Sequence, residues 1–356
     1  NIYKNRKLFS TFNNTETEND VLNELWFAKQ IEKDFSLNPP KRLAIAVSGG
    51  ADSLALAMLA KKWSEKSNCY ISAFVVDHKI RKESFEEANY TLSLLRNAEI
   101  RSEILSLNWK DDRAPTSSIQ KKCRLARYKV LSDACDMQEI PVLVTGHHAN
   151  DQAETFLMRL SRQSNLEGLA SMRRVAPCVL DDKKVHPRLK LWRPALNISK
   201  FQLQQFCENH QLAWVNDPSN EDTSFRRVET RQLLSKLTQN SGFNATTISC
   251  LTERVAAQSD ALHSHANQLL DSTILVDAQT PQTRQTFSAR QVIQLPHIVR
   301  KRVLLELLAR QGIARPSKGV LQSLTRSLQV LANKPTIRRT YKPITLPELS
   351  KFDILP

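Results

Sequence analysis

A loop rich in glycine and serine follows the first strongly apolar segment of the chain, residues 43–47. It reads Ser48-Gly49-Gly50-Ala51-Asp52-Ser53 and leads into a stretch whose apolar residues have helical spacing. Two adjacent glycines let the backbone curl closely around an anion, and the N–H groups at a helix start favour phosphate. Because Asp52 would repel phosphate, we expect it to orient the loop or to bind Mg²⁺. The alternative is a tight turn that caps a helix.

Two further polar clusters follow apolar segments in the same way. Asp77 and His78 end the segment that begins at residue 70, and Gly146-His147-His148 follows the segment 142–145. Strands alternating with helices predict an α/β fold with a doubly wound parallel sheet, in which ligands bind beyond the carboxyl ends of the strands. We therefore expect the three clusters to meet at one edge of the sheet, with a purely structural role for the second and third as the alternative.

Paired charges on two predicted helices could supply chemistry at this edge. Asp151 and Glu154 are three residues apart near a helix start, so their carboxylates share one face and suit a cationic substrate. One of them could also relay a proton. Arg124 and Arg127 have the same spacing and suit a phosphate or a base. The simpler interpretations are a first-turn acid favoured by the helix dipole and a solvated face for the arginines.

The composition favours a polyanionic partner and a reducing compartment. The chain of 356 residues carries a formal net charge of +15, and residues 284–342 hold thirteen Lys and Arg residues against one acid, Glu306. Such a concentration favours a nucleic-acid-binding surface over a solvated basic face. The six cysteines include no C-x-x-C pair, which argues against a disulfide scaffold, a zinc finger or a paired-cysteine iron–sulfur site. No apolar run is long enough for a membrane span.

The order of these patterns predicts three parts. Residues 1–40 form an N-terminal extension with one helix, residues 41–230 form the sheet domain, and residues 231–356 form a mainly helical, basic domain. The first fifteen residues hold three cations and no acid, as in the remnant of an organellar transit peptide. We therefore expect a mitochondrial protein, with a bacterial cytoplasmic protein as the alternative.

The loop at residues 48–53 resembles the pyrophosphate loop of the N-type ATP pyrophosphatases, also called PP-loop proteins. That superfamily cleaves ATP to AMP and pyrophosphate while adenylating a carbonyl-type oxygen of its substrate. Later segments, in order along the chain, resemble the tRNA(Ile)-lysidine synthases of this superfamily, and the resemblance spans about residues 41–231. These segments are 76–81, 119–128, 146–155, 166–169, 193–194 and 214–220.

The resemblance implies a ligase that forms a C–N bond at the expense of ATP. Such an enzyme joins free L-lysine to C2 of the wobble cytidine of tRNA(Ile) with a CAU anticodon. The reaction passes through an adenylated cytidine and releases AMP and pyrophosphate.

The resemblance also implies roles for individual residues. Catalysis would involve Asp52, which would also hold Mg²⁺, together with Arg124, Arg127, Asp151 and Glu154. ATP would contact the loop Ser48, Gly49, Gly50, Ala51, Asp52 and Ser53, and also Asp77, His78 and His147. The lysine and tRNA substrates would contact Asp151, Glu154, Arg193, Arg227 and Arg231.

The chain departs from the family pattern at three places. Asn150 stands where the family has the first aspartate of its D-D-Q motif, Gln163 and Asn165 replace glycines, and residues 228–230 interrupt an arginine-rich stretch. The pyrophosphate loop and the acidic pair match the pattern. A tRNA thiolase of the same superfamily is one alternative, although the absence of C-x-x-C weighs against it. A catalytically silent RNA-binding relative is the other.

Overall fold

The computed structural model describes residues 22–36, 38–80, 83–109, 119–181, 184–215, 226–241, 243–273, 275–276, 285–310, 312–313, 316–333 and 352–355. The chain divides into two compact units, Asn1–Glu253 and Arg254–Pro356. No helix in the described part of the chain is long and apolar enough to cross a membrane.

Strands and helices alternate through the first unit, as the sequence predicts. Its strands are β1 (Arg42–Val47), β2 (Tyr70–Asp77), β3 (Ser102–Ser106), β4 (Val142–Thr145), β5 (Val175–Val179) and β6 (Val185–Trp192). Its helices are α1 (Glu24–Phe35), α2 (Ala51–Ser67), α3 (Ser84–Asn97), α4 (Ile119–Met137), α5 (Ala149–Leu160), α6 (Leu166–Leu169), α7 (Lys200–Asn209) and α8 (Arg226–Ser241). The helix α9 (Ala245–Thr273) contains the division between the units.

The six strands form one sheet in the order β3-β2-β1-β4-β6-β5. All neighbouring pairs are parallel except β5 and β6, which are antiparallel at the edge of the sheet. The direction of winding reverses between β1 and β4, the point at which such sheets bind ligands. The predicted doubly wound α/β fold is therefore confirmed.

The two faces of the sheet are covered by different helices. Alternate residues of β1 face opposite sides, so Leu43, Ile45 and Val47 pack with apolar residues of α1, α2, α3 and α7. Ala44 faces the other side, where α4 packs through Tyr128 and neighbouring apolar residues. This arrangement places the first half of α4 over the carboxyl ends of the strands, because α4 connects the parallel strands β3 and β4.

Helix α1 is part of the core rather than an appendage. Its apolar face buries Trp26, Phe27 and Ile31 against the sheet unit. At its end, the Asp34 carboxylate accepts a hydrogen bond from the Trp192 indole at 2.7 Å and also pairs with Arg174. The sequence predicts the helix but places it in an extension, because an amphipathic pattern alone does not identify the surface that covers it.

The second unit is mainly helical, as predicted, but it also contains a small sheet. Helices α10 (Ala289–Gln294), α11 (His297–Arg310) and α12 (Lys318–Ala332) pack with the end of α9 around a leucine-rich core. Strand β8 (Gln285–Ser288) pairs antiparallel with β7 (Leu275–Val276) and parallel with β9 (Phe352–Leu355). Strands of two to four residues are too short for a period-two pattern, which explains why the sequence did not predict them.

The division at residue 253 differs from the sequence-based boundary at 230/231. Helix α8 packs against α5, and Leu234 shares a buried cluster with Ala149 and Ala153. The residues after 230 therefore complete the first unit before the chain reaches the second.

Replacing Phe27 by alanine tests whether α1 stabilises the sheet unit. Phe27 is fully buried, and its ring centroid lies 5.7 Å from that of Trp63 and 5.3 Å from that of Trp192. We expect Phe27→Ala to lower the free energy of unfolding by about 3–5 kcal/mol, because burial is lost and a cavity remains. Leu25 on the same helix is 63% exposed. Leu25→Ala should therefore change it by less than about 0.5 kcal/mol, and equal losses in urea unfolding would contradict the assignment.

Candidate active site

The register of the parallel strands brings the polar clusters to one edge of the sheet. Val47 lies opposite Val75, and Ala46 lies opposite Thr145. The chain segments that follow these strands begin at Ser48, at His78 directly after Asp77, and at Gly146. On the far side of β4, Val144 lies opposite Trp192, so Arg193 leaves the sheet at the same edge. The three clusters that the sequence predicts to converge are thus neighbours.

The loop between β1 and α2 is held in shape by its own hydrogen bonds. The Ser53 hydroxyl accepts from the Ser48 N–H at 3.1 Å and donates to the Gly50 carbonyl at 3.0 Å. The Val215 N–H donates to the Gly49 carbonyl at 2.9 Å. Gly49 has a φ of 82°, and a Cβ there would overlap the Thr91 hydroxyl. Only glycine fits this position.

Gly146 allows β4 to approach the first turn of α2. A Cβ at this position would lie 3.2 Å from the backbone N and Cα of Ser53. Helices α2 and α5 follow the neighbouring strands β1 and β4, so they begin side by side at the same edge of the sheet. The dipoles of two helix N-termini favour the binding of an anion between them.

His148 is the central side chain of the site. It is buried, and its Nε2 lies 3.5 Å from a carboxylate oxygen of Asp52 and 3.4 Å from one of Asp151. Burial is the largest influence on the His148 pKa and lowers it. The hydrogen bond with Asp52 and the charges of Asp151 and Asp52 outweigh burial, so the pKa of His148 lies above its ordinary value. The imidazole therefore joins two carboxylates that come from different helices.

The sequence predicts a nucleotide contact for His147 and indicates no individual role for His148. The structure shows that His147 shares a hydrogen bond of 2.9 Å with the Thr145 hydroxyl at the end of β4. The two adjacent histidines were the signal in the sequence that one imidazole faces the site, because adjacent side chains point to different sides. Which of the two faces the acids depends on the backbone of the turn into α5.

Asp52 has an arrangement that suits a metal ion. Its Oδ1 is buried and makes no hydrogen bond within the described residues, while Oδ2 faces His148. A carboxylate oxygen left without a partner beside an anion-binding loop fits Mg²⁺, which binds one or two carboxylates together with substrate phosphates. Among the described residues, no group of three or more His, Cys, Asp or Glu side chains is placed to hold a metal ion without a substrate.

The predicted pair of Asp151 and Glu154 divides into two environments. Asp151 Oδ2 accepts a hydrogen bond from the backbone N–H of His148 at 3.2 Å, and its side chain is 21% exposed. Glu154 is buried, and its Oε1 accepts from Arg231 Nε at 2.8 Å. This hydrogen bond is the main reason that the pKa of Arg231 is raised. The structure thus joins two predicted substrate residues that are distant in sequence.

Asn150 has a structural partner. Its side-chain oxygen accepts a hydrogen bond of 3.0 Å from the backbone N–H of Lys200, the first residue of α7. The neighbouring Gln152 is buried and makes hydrogen bonds with the backbone of Met172 in both directions at 2.9 Å. Both side chains fix neighbouring segments around α5, and a neutral oxygen is sufficient for the bond that Asn150 makes.

Asp77 closes the next loop along the edge. Its Oδ1 accepts hydrogen bonds from the Lys79 N–H at 2.9 Å and from the Ser84 hydroxyl, and its Oδ2 is buried without a hydrogen bond in the described structure. The backbone carbonyl of His78 accepts from the Trp109 indole at 2.8 Å. These contacts order the loop beside β1, and a contact of Asp77 or His78 with ATP stays a prediction.

Three other predicted residues lie at the same edge of the sheet. Arg193 follows β6 and is buried, whereas Arg124 and Arg127 flank the Tyr128 ring on α4. The side chain of Arg227 and residues 217–220 lie outside the described part of the structure.

The cysteines are separate thiols, and five of the six are buried. Burial raises the pKa of Cys69 and Cys178 to about 11 and that of Cys207 to about 12. Burial also raises the pKa of Cys123 and Cys135. Such thiols stay protonated and are poor nucleophiles at neutral pH.

Comparisons with known proteins agree with this geometry. The profile of the PP-loop domain matches residues 23–238. The tRNA(Ile)-lysidine synthase of Orientia tsutsugamushi is 37% identical over 238 residues, which are 67% of this chain and 50% of that protein. The tRNA(Ile)-lysidine synthase of Bradyrhizobium sp. is 32% identical over 309 residues, and the match covers 83% of each chain. The chain spans about half the length of several curated relatives that it matches.

A solved structure shares the fold. The U34-tRNA thiolase NcsA from Methanococcus maripaludis, with its iron–sulfur cluster, superposes with a TM-score of 0.53 at 19% identity. The match covers 65% of this chain and 80% of that one. The curated relatives above are bacterial, so the expectation of a mitochondrial protein is not supported.

Replacing Gly49 by alanine tests the anion-binding loop. The substitution forces a side chain into a positive φ and against Thr91, whose buried hydroxyl is bonded to the Glu87 carbonyl at 2.9 Å. We expect Gly49→Ala to raise the Kd for ATP by at least roughly tenfold and to cost about 1–2 kcal/mol of stability. Isothermal titration and thermal unfolding measure the two effects.

Gly319 provides the control for this substitution. It lies in the first turn of α12, where a Cβ would meet only the Ser317 hydroxyl, at 3.7 Å. Gly319→Ala should leave ATP binding unchanged and the protein equally stable or slightly more stable. Unaltered ATP binding by Gly49→Ala would show that the loop does not hold the phosphates.

Proposed function

We infer the function of this chain from its family: it belongs to the PP-loop proteins, and within them to the tRNA(Ile)-lysidine synthases. We propose that it joins free L-lysine to C2 of the wobble cytidine of tRNA(Ile) with a CAU anticodon. One observation carries the proposal. The anion-binding loop, an Asp52 oxygen that has no partner among the described residues and the partly exposed carboxylate of Asp151 meet around His148 at a single edge of the sheet.

The first step activates a poor leaving group. Oxygen O2 of the cytidine attacks the α-phosphorus of ATP, the bond from that phosphorus to the bridging oxygen breaks, and pyrophosphate leaves. The loop of residues 48–53 holds the departing pyrophosphate with its backbone N–H groups and the N-terminus of α2. Because these donors are fixed before ATP binds, they need little reorganisation as charge builds on the phosphates.

Asp52 is the residue that would hold Mg²⁺ with the phosphates. When bound, the ion would neutralise negative charge on the leaving pyrophosphate. Asp52 Oδ2 contacts His148, while Oδ1 makes no hydrogen bond with a described residue and would be the oxygen that binds the ion.

The second step places the lysine amine next to the activated carbon. Asp151 is the carboxylate suited to the ε-ammonium, because Glu154 is already paired with Arg231 and is buried. One proton passes from the ammonium to Asp151, the nitrogen bonds to C2, and the C2–O bond breaks with its electrons going to AMP. The nitrogen then releases its second proton to solvent. The Arg231 side chain, which pairs with Glu154, is 45% exposed and would suit the α-carboxylate of lysine.

The second unit supplies a cationic surface suited to tRNA. A cavity of about 430 Å³ lies between α11 and α12 and is lined by His297, Arg300, Lys301, Gln322 and Arg326 over a floor of leucines. Contacts between such cations and phosphates release counterions, so tRNA affinity should fall steeply with salt. The anticodon loop is single-stranded, and presenting one of its bases to the first unit costs little.

The burial of the thiols argues against sulfur transfer. A thiolase needs reactive cysteines or a cluster bound by them, whereas burial raises the pKa of five of the six cysteines here. The silent RNA-binding relative predicts tRNA binding without chemistry. Lysine transfer therefore distinguishes the proposed ligase from both alternatives.

The direct test incubates the chain with ATP, Mg²⁺, radiolabelled lysine and tRNA(Ile) bearing a CAU anticodon. We expect label in precipitated tRNA(Ile) and none in tRNA(Met). Asp52→Asn should lower the rate by at least roughly 100-fold, because the loop loses a charged group at the reacting phosphates. Asp133→Asn is the matched control, because Asp133 is 53% exposed on α4 and pairs with Lys129 on the same helix.

Two results would contradict the proposal. Bound tRNA(Ile) that acquires no lysine would favour the silent relative, and label from a sulfur donor would favour the thiolase. If Asp52→Asn transferred lysine at the wild-type rate, the assignment of Asp52 to the active site would be wrong, although the proposed function would stand.

A further inference from the structure

A second group of cations lies at the edge of the sheet that carries the pyrophosphate loop. Arg193 follows β6, and β4 separates β6 from β1. Since neighbouring strands are about 4.8 Å apart, Arg193 leaves the sheet about 10 Å from the start of the loop. The first half of α4, which carries Arg124, Arg127 and Tyr128, lies over the same edge.

Arg193 is a buried cation without an acidic partner in the described structure. It is 5% exposed, and its Nη1 donates a hydrogen bond to the Arg173 carbonyl at 2.9 Å. Its Nε is buried without an acceptor. Burial, the largest influence, lowers the pKa of Arg193, and Arg124 lowers it further while Tyr128 raises it. An unpaired buried guanidinium is costly unless an anion joins it.

Tyr128 organises the other two arginines. The guanidinium carbon of Arg124 lies 5.0 Å from the Tyr128 ring centroid, and that of Arg127 lies 5.3 Å from it. Both are cation–π contacts that fix the direction of a long side chain. The Tyr128 hydroxyl is buried, and its interaction with Arg193 raises the pKa of that guanidinium. A buried phenol on α4 and a buried guanidinium after β6 thus face each other inside a positively charged cluster that has no acidic partner for Arg193 in the described structure.

We propose that Arg193, Tyr128 and the two flanking arginines bind a phosphodiester of the RNA substrate, next to the cytidine that reacts at the loop. This inference rests on the proposed function. A phosphodiester presents two charged oxygens, which suit planar guanidinium groups and a phenolic hydroxyl.

RNA rather than ATP is the source of this phosphate on two grounds. The ATP phosphates already have the N–H donors of the loop and of the α2 N-terminus, two strands away. Arg124 is exposed, so the cluster opens to solvent at its rim, as a site for a long chain requires. A phosphate held there would place the neighbouring base toward β4 and the loop.

The test compares the affinities for tRNA and for ATP in three variants of the full chain. Arg124→Gln is at an exposed position, Arg193→Lys keeps the charge but loses the planar fork, and Tyr128→Phe removes only the hydroxyl. We expect Arg124→Gln and Arg193→Lys to raise the Kd for tRNA(Ile) by roughly tenfold. The slope of log K against log salt should become shallower by about 1 for Arg124→Gln. Tyr128→Phe should raise the same Kd by a smaller factor.

The Kd for ATP without tRNA should stay within a factor of about two in each variant that unfolds at the wild-type temperature. Arg188→Gln is the matched control, because Arg188 is on β6 with an 84% exposed side chain and should leave both affinities unchanged. Weaker ATP binding with normal tRNA binding would overturn the inference in favour of a nucleotide site. Unchanged affinities for both in Arg124→Gln and Tyr128→Phe would reduce the cluster to a structural role.

These measurements are equilibrium binding without lysine, so they separate the inference from the proposed function. Loss of tRNA affinity in the variants of a chain that transfers no lysine would support the phosphate site and contradict the lysine ligase. Normal lysine transfer with unchanged tRNA affinity in the variants would support the lysine ligase and contradict the phosphate site.

Discussion

The contact between Gly146 and the first turn of α2 is the constraint on which the site depends. Because no side chain separates the end of β4 from the Ser53 backbone, the loops after β1 and β4 lie side by side. Parallel pairing of the two strands sets their register, and the glycine sets their distance. As a result, α2 and α5 begin next to each other, and both helix N-termini face the space where phosphate would bind.

The short distance between the end of β4 and the start of α2 also determines how charge is distributed at this edge. His148 can contact Asp52 and Asp151 only because the two helix starts are adjacent, and it then partly offsets two negative charges beside an anion-binding loop. Arg231 compensates the buried Glu154 in the same way. Each acid is therefore stabilised by a basic partner, while Asp52 Oδ1 stays without a hydrogen bond in the described structure. This arrangement leaves one oxygen of Asp52 for a cation and the partly exposed carboxylate of Asp151 for an amine.

The features that the sequence could predict are those that depend on local patterns. The alternation of apolar strands with helices was enough to predict the parallel sheet and the convergence of the loops after residues 47, 76 and 145. Ion pairs between residues distant in sequence could not be predicted, because nothing in the sequence near Glu154 identifies Arg231 as its partner. The role of His148 depends on the turn into α5, and the small sheet β7-β8-β9 depends on strands too short to have a period. The sequence predicted that α1 is a helix, but it did not predict that the helix packs against Trp63 and Trp192.

We propose that this edge of the sheet adenylates RNA, and this step can be measured without lysine transfer. The chain is incubated with ATP labelled at the α-phosphate, Mg²⁺ and tRNA(Ile) with a CAU anticodon, without lysine, and label in the RNA is counted. The account predicts AMP on tRNA(Ile) but not on tRNA(Met), its release when unlabelled lysine is added, and its absence in Asp52→Asn. Pyrophosphate release without label on RNA, or label that lysine does not remove, would contradict it.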